Sequence, residues 1–270
     1  MPEIPFRKLS GAGNDFILID ERECELDPAW LAQHVCRRAR SLGADGLILV
    51  GPDPAGVRVR FYNPDGSRAE LCGNGSRCAA RDAVERGLAS GPRFTLLSDS
   101  GALAVEARPD GSYAVAMPVP SNVQPGLLAV EVRGEPVEVH ALRVGVPHAV
   151  LFVPDVEAPS DDELTRLGRA LRHDPAFPAG ANVNLVTPLP RGGLRQRTYE
   201  RGVEALTLAC GTGATASATM AHQLLGRPWP VSVQVDGGRL TIDHHHSHPW
   251  LCGPARLIAR GVLMPDALSE

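Results

Sequence analysis

Two short phrases carry most of the chemistry available to this chain: Cys72-Gly73-Asn74-Gly75 and Cys210-Gly211-Thr212-Gly213, about half of the 270 residues apart. Each runs into a small, alanine-rich segment of helical character, Ser76 to Val84 after the first and Ala214 to Ala221 after the second. Glycines flanking a small polar residue let the backbone approach a ligand, and the first amides of a helix have no intrahelical acceptor. Such a helix start attracts a carboxylate. Its positive end also lowers the pKa of a cysteine placed there, making thiolate available near neutral pH. Two cysteines on opposite faces of one α-carbon can act as base and acid and exchange roles with the direction of reaction. A lone Cys-Gly pair would read as a small buried filler. Paired copies at matching places in a repeated chain point instead to two-base proton transfer.

The elements that must position these phrases occur twice in the same order. The first half predicts a strand over Phe16–Ile19, a helix from Pro28 to about Arg40 behind the N-cap Asp27, and strands near Leu47–Val50 and Val57–Tyr62. A turn at Asn63-Pro64-Asp65-Gly66 precedes the first Cys-Gly helix, and three short strands follow at 94–97, 103–107 and 113–117. The second half predicts strands at 137–144 and 149–153, a helix over 161–171, strands at 183–186 and 194–200, the second Cys-Gly helix, and strands at 231–235 and 240–242. This is an α+β tandem duplication. The proline-bearing stretch Pro118 to Pro125 reads as the linker.

Composition narrows the function classes. No apolar stretch approaches the roughly 18 to 20 residues of a membrane span, and the first residues lack a basic and then apolar signal, so a cytoplasmic protein without a membrane partner is expected. A formal charge of -4 and 4% aromatic residues offer no cationic stripe or stacking platform for nucleic acid. The six cysteines include no Cys-x-x-Cys pair, which argues for reduced thiols rather than zinc, and no metal is expected. Lys8 is the only lysine, and nothing around it resembles a pocket for a Schiff-base cofactor. His244-His245-His246-Ser247-His248 reads as a solvated hairpin loop.

The sequence resembles the diaminopimelate epimerase family, in the group of cofactor-independent amino-acid racemases and epimerases, along nearly the whole chain. The resemblance lies in residues 8–16, Gly43-Ala44-Asp45-Gly46, residues 61–67, Glu70-Leu71-Cys72-Gly73-Asn74-Gly75-Ser76-Arg77-Cys78, Tyr199-Glu200-Arg201-Gly202, Leu208-Ala209-Cys210-Gly211-Thr212-Gly213, Gly237-Gly238 and residues 253–255. It implies two similar domains, 1–118 with Cys72 and 119–261 with Cys210, the first joined by a C-terminal strand at about 262–270. Each is expected to be a curved, mostly antiparallel sheet wrapped around a central helix, with the active site in the cleft between them.

The resemblance further implies that Cys72 and Cys210 are the catalytic bases, with His148 tuning the first thiol and Glu200 the second. The amides of Gly73, Asn74, Gly211 and Thr212 are expected to hold the reacting carboxylate. Asn14, Asn63, Asn182, Glu200 and Arg201 match substrate-binding positions, Arg201 and the asparagines serving the distal end. The expected reaction interconverts LL- and meso-2,6-diaminopimelate without pyridoxal phosphate or any other cofactor, for lysine and peptidoglycan precursors, in a homodimer. Two positions depart from the family pattern. Val146 stands where an asparagine usually reaches the distal substrate, and Leu206 where a glutamate is common. Another amino acid, such as histidine, ornithine or lysine, is therefore an alternative substrate, and a non-catalytic amino-acid-binding protein is the alternative from a different class.

Overall fold

The computed structural model describes residues 3–69, 72–245 and 247–269. The chain divides into two units, Met1–Ala116 with Gly253–Glu270, and Met117–Cys252. The first contains β1 (Ile4–Gly11), β2 (Asn14–Asp20), α1 (Pro28–Val35), β3 (Gly46–Asp53), β4 (Gly56–Tyr62), β5 (Arg68–Ala69), α2 (Gly73–Glu85), β6 (Arg93–Ser98), β7 (Gly101–Ala107) and β8 (Tyr113–Ala116). The second contains β9 (Ser121–Val132), β10 (Glu135–Val144), β11 (Val146–Phe152), α3 (Asp161–Arg172), β12 (Asn182–Pro188), β13 (Leu194–Glu200), β14 (Ala205–Thr207), α4 (Gly211–Leu225), β15 (Val231–Val235), β16 (Gly238–His245) and β17 (His248–Gly253). The last strand, β18 (Arg256–Leu263), returns to the first unit.

Both units are wired alike. In the first, β18, β1 and β2 are antiparallel neighbours, β2 runs parallel to β3, and β3 is antiparallel to β4. Strand β4 carries the short β5 and lies parallel to β6, which continues antiparallel through β7 to β8. The second unit repeats the scheme with β9, β10 and β11, the parallel pair β11–β12, and then β13 with β14, β15, β16 and β17. The registers align the copies residue by residue. Phe16 opposite Gly46 matches His148 opposite Asn182, and Ile48 opposite Phe61 matches Asn184 opposite Thr198.

Period-two side-chain alternation gives each sheet two buried faces. In β2 and β3, Phe16, Leu18, Ile48 and Val50 pack toward α2, while Ile17, Ile19, Leu47 and Leu49 pack toward α1. The central helices α2 and α4 each contact strands from both ends of their own sheet. Residues Gly73–Ala80 and Gly213–Ala221 are buried without a break, and apart from Arg77 and Met220 their side chains are short, which lets strands approach from several sides. On the outer faces α1 is capped by Asp27, whose side chain accepts from Trp30 N at 2.8 Å, and α3 by a Ser160–Glu163 capping box. Among the described residues, no helix is long and apolar enough to cross a membrane.

Several elements differ from the sequence-based expectation. Helix α1 stops at Val35 rather than Arg40, because Ala39 adopts a left-handed φ of 64° and the chain turns Arg38 back onto Asp15 and Asp45. The presumed linker Pro118–Pro125 is half strand: β9 begins at Ser121, and Pro125 is tolerated where the pairing with β10 is irregular. The second crossing falls at 252/253 rather than 261/262, since β18 pairs with β1 from Ser10 to Ile4. The expected hairpin is formed by β16 and β17, with His244 and His248 exposed, but His244, His245 and His248 are strand residues rather than a loop, the first two stacked on Trp229 and Trp250; His246 is outside the described residues.

The far half of α2 is anchored by a buried carboxylate. Asp82, 1% exposed, accepts from Arg7 at 3.0 Å and Arg86 at 2.9 Å. Burial pushes its pKa up, only partly countered by the two arginines. Asp82→Ala is expected to destabilise the protein by about 2 kcal/mol, because it removes the buried acceptor that joins two guanidinium groups and leaves Arg7 with Glu85 and Arg86 with Asp20. Urea unfolding measures this, and a loss below about 1 kcal/mol would show that the anchor is dispensable.

Candidate active site

Each cysteine is the N-cap of its central helix. Cys72 has extended backbone angles, and its sulfur accepts from Gly75 N at 3.3 Å; Cys210 repeats the geometry with Gly213 N at 3.4 Å. The first helical positions are Gly73 and Asn74 in one unit and Gly211 and Thr212 in the other, so their amides lie at the positive end of the helix, where an anion is favoured. Glycine at the third position is a packing requirement. A Cβ on Gly75 would press on Phe61 and Ile48, and one on Gly213 would fall on the Asn184 carboxamide oxygen.

The first half-site rests on a chain of carboxamides. Asn14 donates from Nδ2 to Asp45 Oδ2 at 3.0 Å and accepts on Oδ1 from Asn74 Nδ2 at 2.6 Å. Asn74 Oδ1 in turn accepts from the fully buried Arg77 at 2.8 Å, and Arg77 also reaches the Gly73 carbonyl at 3.2 Å. Arg38 spans Asp15 and Asp45, while Lys8 Nζ contacts Asp15 and the carbonyls of Leu42 and Gly43. Burial would raise Asp15, but the Arg38 and Lys8 cations outweigh it and hold that carboxyl below its ordinary range. An ammonium so engaged does not suit a Schiff base. Asn63 is exposed, its side chain donating to Ser67 Oγ at 2.9 Å within the turn that closes β4. Glu70 and Leu71 of the resembling motif lie outside the described residues.

In the second half-site Asn182 Oδ1 accepts from Arg201 N at 2.8 Å, and its Nδ2 lies 3.9 Å from Cys210 Sγ. Thr212 Oγ1 is 3.4 Å from the same sulfur. Glu200 accepts from Thr207 Oγ1 at 3.0 Å; burial raises its pKa, and this bond only partly offsets the shift. The Arg201 guanidinium donates to the Ala179 carbonyl at 3.0 Å. His148 is fully buried on β11, where burial and the Arg201 charge lower its pKa to about 3. Val146 occupies the register place of Asn14, two residues before His148 as Asn14 is two before Phe16. Leu206 packs into the core beneath α3, so that departure from the family pattern serves packing.

Asn184, Thr198 and Gln196 also belong to this half-site and are not anticipated by the sequence motifs. Polar residues at places that are apolar in the first copy of the repeat are the signal that could have revealed them. By contrast, burial pushes the thiols of Cys36 and Cys78 up to about 12, marking them as structural.

Two thiols, each capping a buried central helix of a duplicated α+β unit, define the class of two-cysteine amino-acid epimerases and racemases. A family model described as diaminopimelate epimerase matches residues 6–123 and 140–258. The chain is 39% identical to a diaminopimelate epimerase of Methanothrix thermoacetophila, with 99% of each chain covered, and 42% identical to that of Aquifex aeolicus, covering 97% of this chain and 99% of the relative. Two solved structures share the fold. A PhzF-family phenazine biosynthesis protein of Bacillus anthracis gives a TM-score of 0.75 at 14% identity, over 98% of this chain and 100% of that one. A hydroxyproline epimerase of Agrobacterium vitis, with bound trans-4-hydroxy-L-proline, gives 0.69 at 16%, over 100% and 93%. The chain belongs to the diaminopimelate epimerase family.

The raised pKa of Glu200 has a signed consequence for stability. A carboxyl whose folded pKa lies above its unfolded value near 4.5 weakens folding as pH climbs past that value, and costs nothing below it. Glu200→Gln is therefore expected to raise the thermal midpoint at about pH 8 and leave it unchanged at about pH 4. A variant less stable at the higher pH would show that the carboxylate is stabilising there.

Proposed function

We propose that the protein interconverts LL- and meso-2,6-diaminopimelate by two-base proton transfer, Cys72 and Cys210 serving as thiolate and thiol on opposite faces of the reacting α-carbon. The observation that carries this reading is the repeated cysteine N-cap, present in both copies with the same amide-to-sulfur bond. The amides of Gly73, Asn74, Gly211 and Thr212 hold the carboxylate of the reacting centre, which makes the α-proton more acidic by stabilising the developing negative charge. Asn14, Asn63, Asn182, Glu200 and Arg201 bind the remaining polar groups, with Arg201 facing the distal carboxylate. His148 and Glu200 make the two thiols unequal. The proton lost to one sulfur is replaced by the proton of the other, so no pyridoxal phosphate is needed. The proposed setting is a cytoplasmic homodimer supplying lysine and peptidoglycan precursors.

Val146 supports a second reading with the same chemistry and another amino acid. A valine offers no hydrogen bond where the other copy of the repeat has Asn14, and a polar distal group left facing it would lose about 0.5 to 3 kcal/mol.

Initial rates with LL-diaminopimelate, histidine, ornithine and lysine separate the readings. Diaminopimelate is expected to be turned over, and Cys72→Ala and Cys210→Ala each to reduce kcat about 1000-fold or more. Turnover of another amino acid with none of diaminopimelate would overturn the main reading. Absence of α-proton exchange with any amino acid would leave a binding protein.

A further inference from the structure

The two copies of the repeat differ most deeply inside the sheet. Their registers equate His148, Asn184, Thr198 and Gln196 of the second unit with Phe16, Ile48, Phe61 and Val59 of the first. All eight are buried, and the apolar four form part of the core around α2. A polar chain in such a place gains less than apolar packing unless its members are satisfied in a definite arrangement. One copy of the fold does without it, so the fold itself does not require it.

The chain has a direction. Gln196 Nε2 donates to Thr198 Oγ1 at 2.9 Å, and Thr198 Oγ1 donates to Asn184 Oδ1 at 3.1 Å. At its other end Asn184 Nδ2 donates to the Ala149 carbonyl at 3.0 Å, and a carbonyl can only accept. The carboxamide is thereby oriented from both sides. The same Nδ2 lies 3.4 Å from the Asn182 carbonyl and 3.2 Å from His148 Nδ1, and because an amide nitrogen cannot accept, the ring nitrogen facing it is the unprotonated one. The ring proton belongs on Nε2, a buried atom with no hydrogen-bond partner among the described residues. Burial and Arg201 keep this ring neutral at ordinary pH. Asn184 also abuts the start of α4, filling the space where a Cβ of Gly213 would lie, and Gly213 N donates to Cys210.

We infer that Asn184 is a positioning residue that locks His148 as the Nε2–H tautomer, so that the histidine serves the reaction as a hydrogen-bond donor and not as a base. This rests on the two-thiol reading and sharpens it. The donor stabilises an anion beside it, a thiolate or the substrate's developing charge, while the transferred protons stay with the two sulfurs.

Long-range proton–nitrogen correlation on the full-length protein labelled with nitrogen-15 histidine reads the tautomer directly, His148→Gln identifying the resonance. The wild type is expected to show unprotonated Nδ1 and protonated Nε2, unchanged between about pH 5 and about pH 8. Asn184→Asp places an acceptor against Nδ1 and is expected to move the proton there. It should also lower kcat about 100-fold or more, leave KM within about threefold, and add an ionisation to the pH–rate profile. Protonated Nδ1 in the wild type would overturn the inference, as would a relocated proton with unchanged kcat. If Asn184→Asp does not fold, the wild-type spectrum still decides. The spectrum needs no substrate, so failure of diaminopimelate turnover with the Nε2–H form present would count against the substrate reading alone.

Discussion

The structure depends on one local constraint: a sulfur capping a helix that is buried on nearly every side. The amide three residues on must reach the thiol, so that residue is Gly75 or Gly213, and the wall behind it is already filled by Phe61 and Ile48 or by Asn184. The rest of each helix follows from the same demand. Cys78-Ala79-Ala80 and Ala214 to Thr219 are small because strands close in around them, and a large side chain there would push the sheet off the helix and move the capped thiol with it. A helix packed this way presents its positive end at a fixed place, which is what a carboxylate-binding site needs.

Duplication supplied two such ends, and divergence gave them different supports. In the first copy, Asn74 is held by Asn14 and Arg77, and an ionic group of Lys8, Asp15, Arg38 and Asp45 stands behind Asn14. In the second, Val146 takes the register place of Asn14, Thr212 lies against the sulfur, and Thr215 bonds back to the Gly211 carbonyl at 3.0 Å much as Arg77 bonds to Gly73. Buried polar groups are costly unless paired. The second unit meets that cost only in part within its sheet, where His148 Nε2 and Gln196 Oε1 have no hydrogen-bond partner among the described residues, and the first meets it at the foot of β1 and β2. Two half-sites with the same cysteine cap and different supports are the natural product of such a history.

Much of this was legible in the sequence because the decisive signals are local. Cysteine and glycine ahead of an alanine run are readable without any tertiary information, and their recurrence revealed the duplication and both helix starts. The partners of Asn14 and Asn182 were not legible, since Asp45 and Arg201 reach them through strand register and loop return rather than spacing, whereas Arg77 reaches Asn74 across one turn of α2. Strand β9 was obscured by Pro118, Pro120 and Pro125, residues that suggest a linker but are tolerated at an irregular pairing. Strand β18 was obscured because it is largely exposed and alternates poorly, so only its pairing with β1 places it in the first unit. Asn184, Thr198 and Gln196 were hidden differently. Each looks ordinary in a strand until it is laid over its apolar counterpart in the other copy.

The central claim is that two different groups handle the two protons, and labelling at low conversion in deuterium oxide tests it most directly. With LL-diaminopimelate as substrate, the first meso product is expected to carry solvent deuterium at the inverted carbon, while the remaining substrate keeps its original hydrogen. Equal early labelling of substrate and product, or product that retains the substrate hydrogen, would mean that one base serves both faces and would contradict the account.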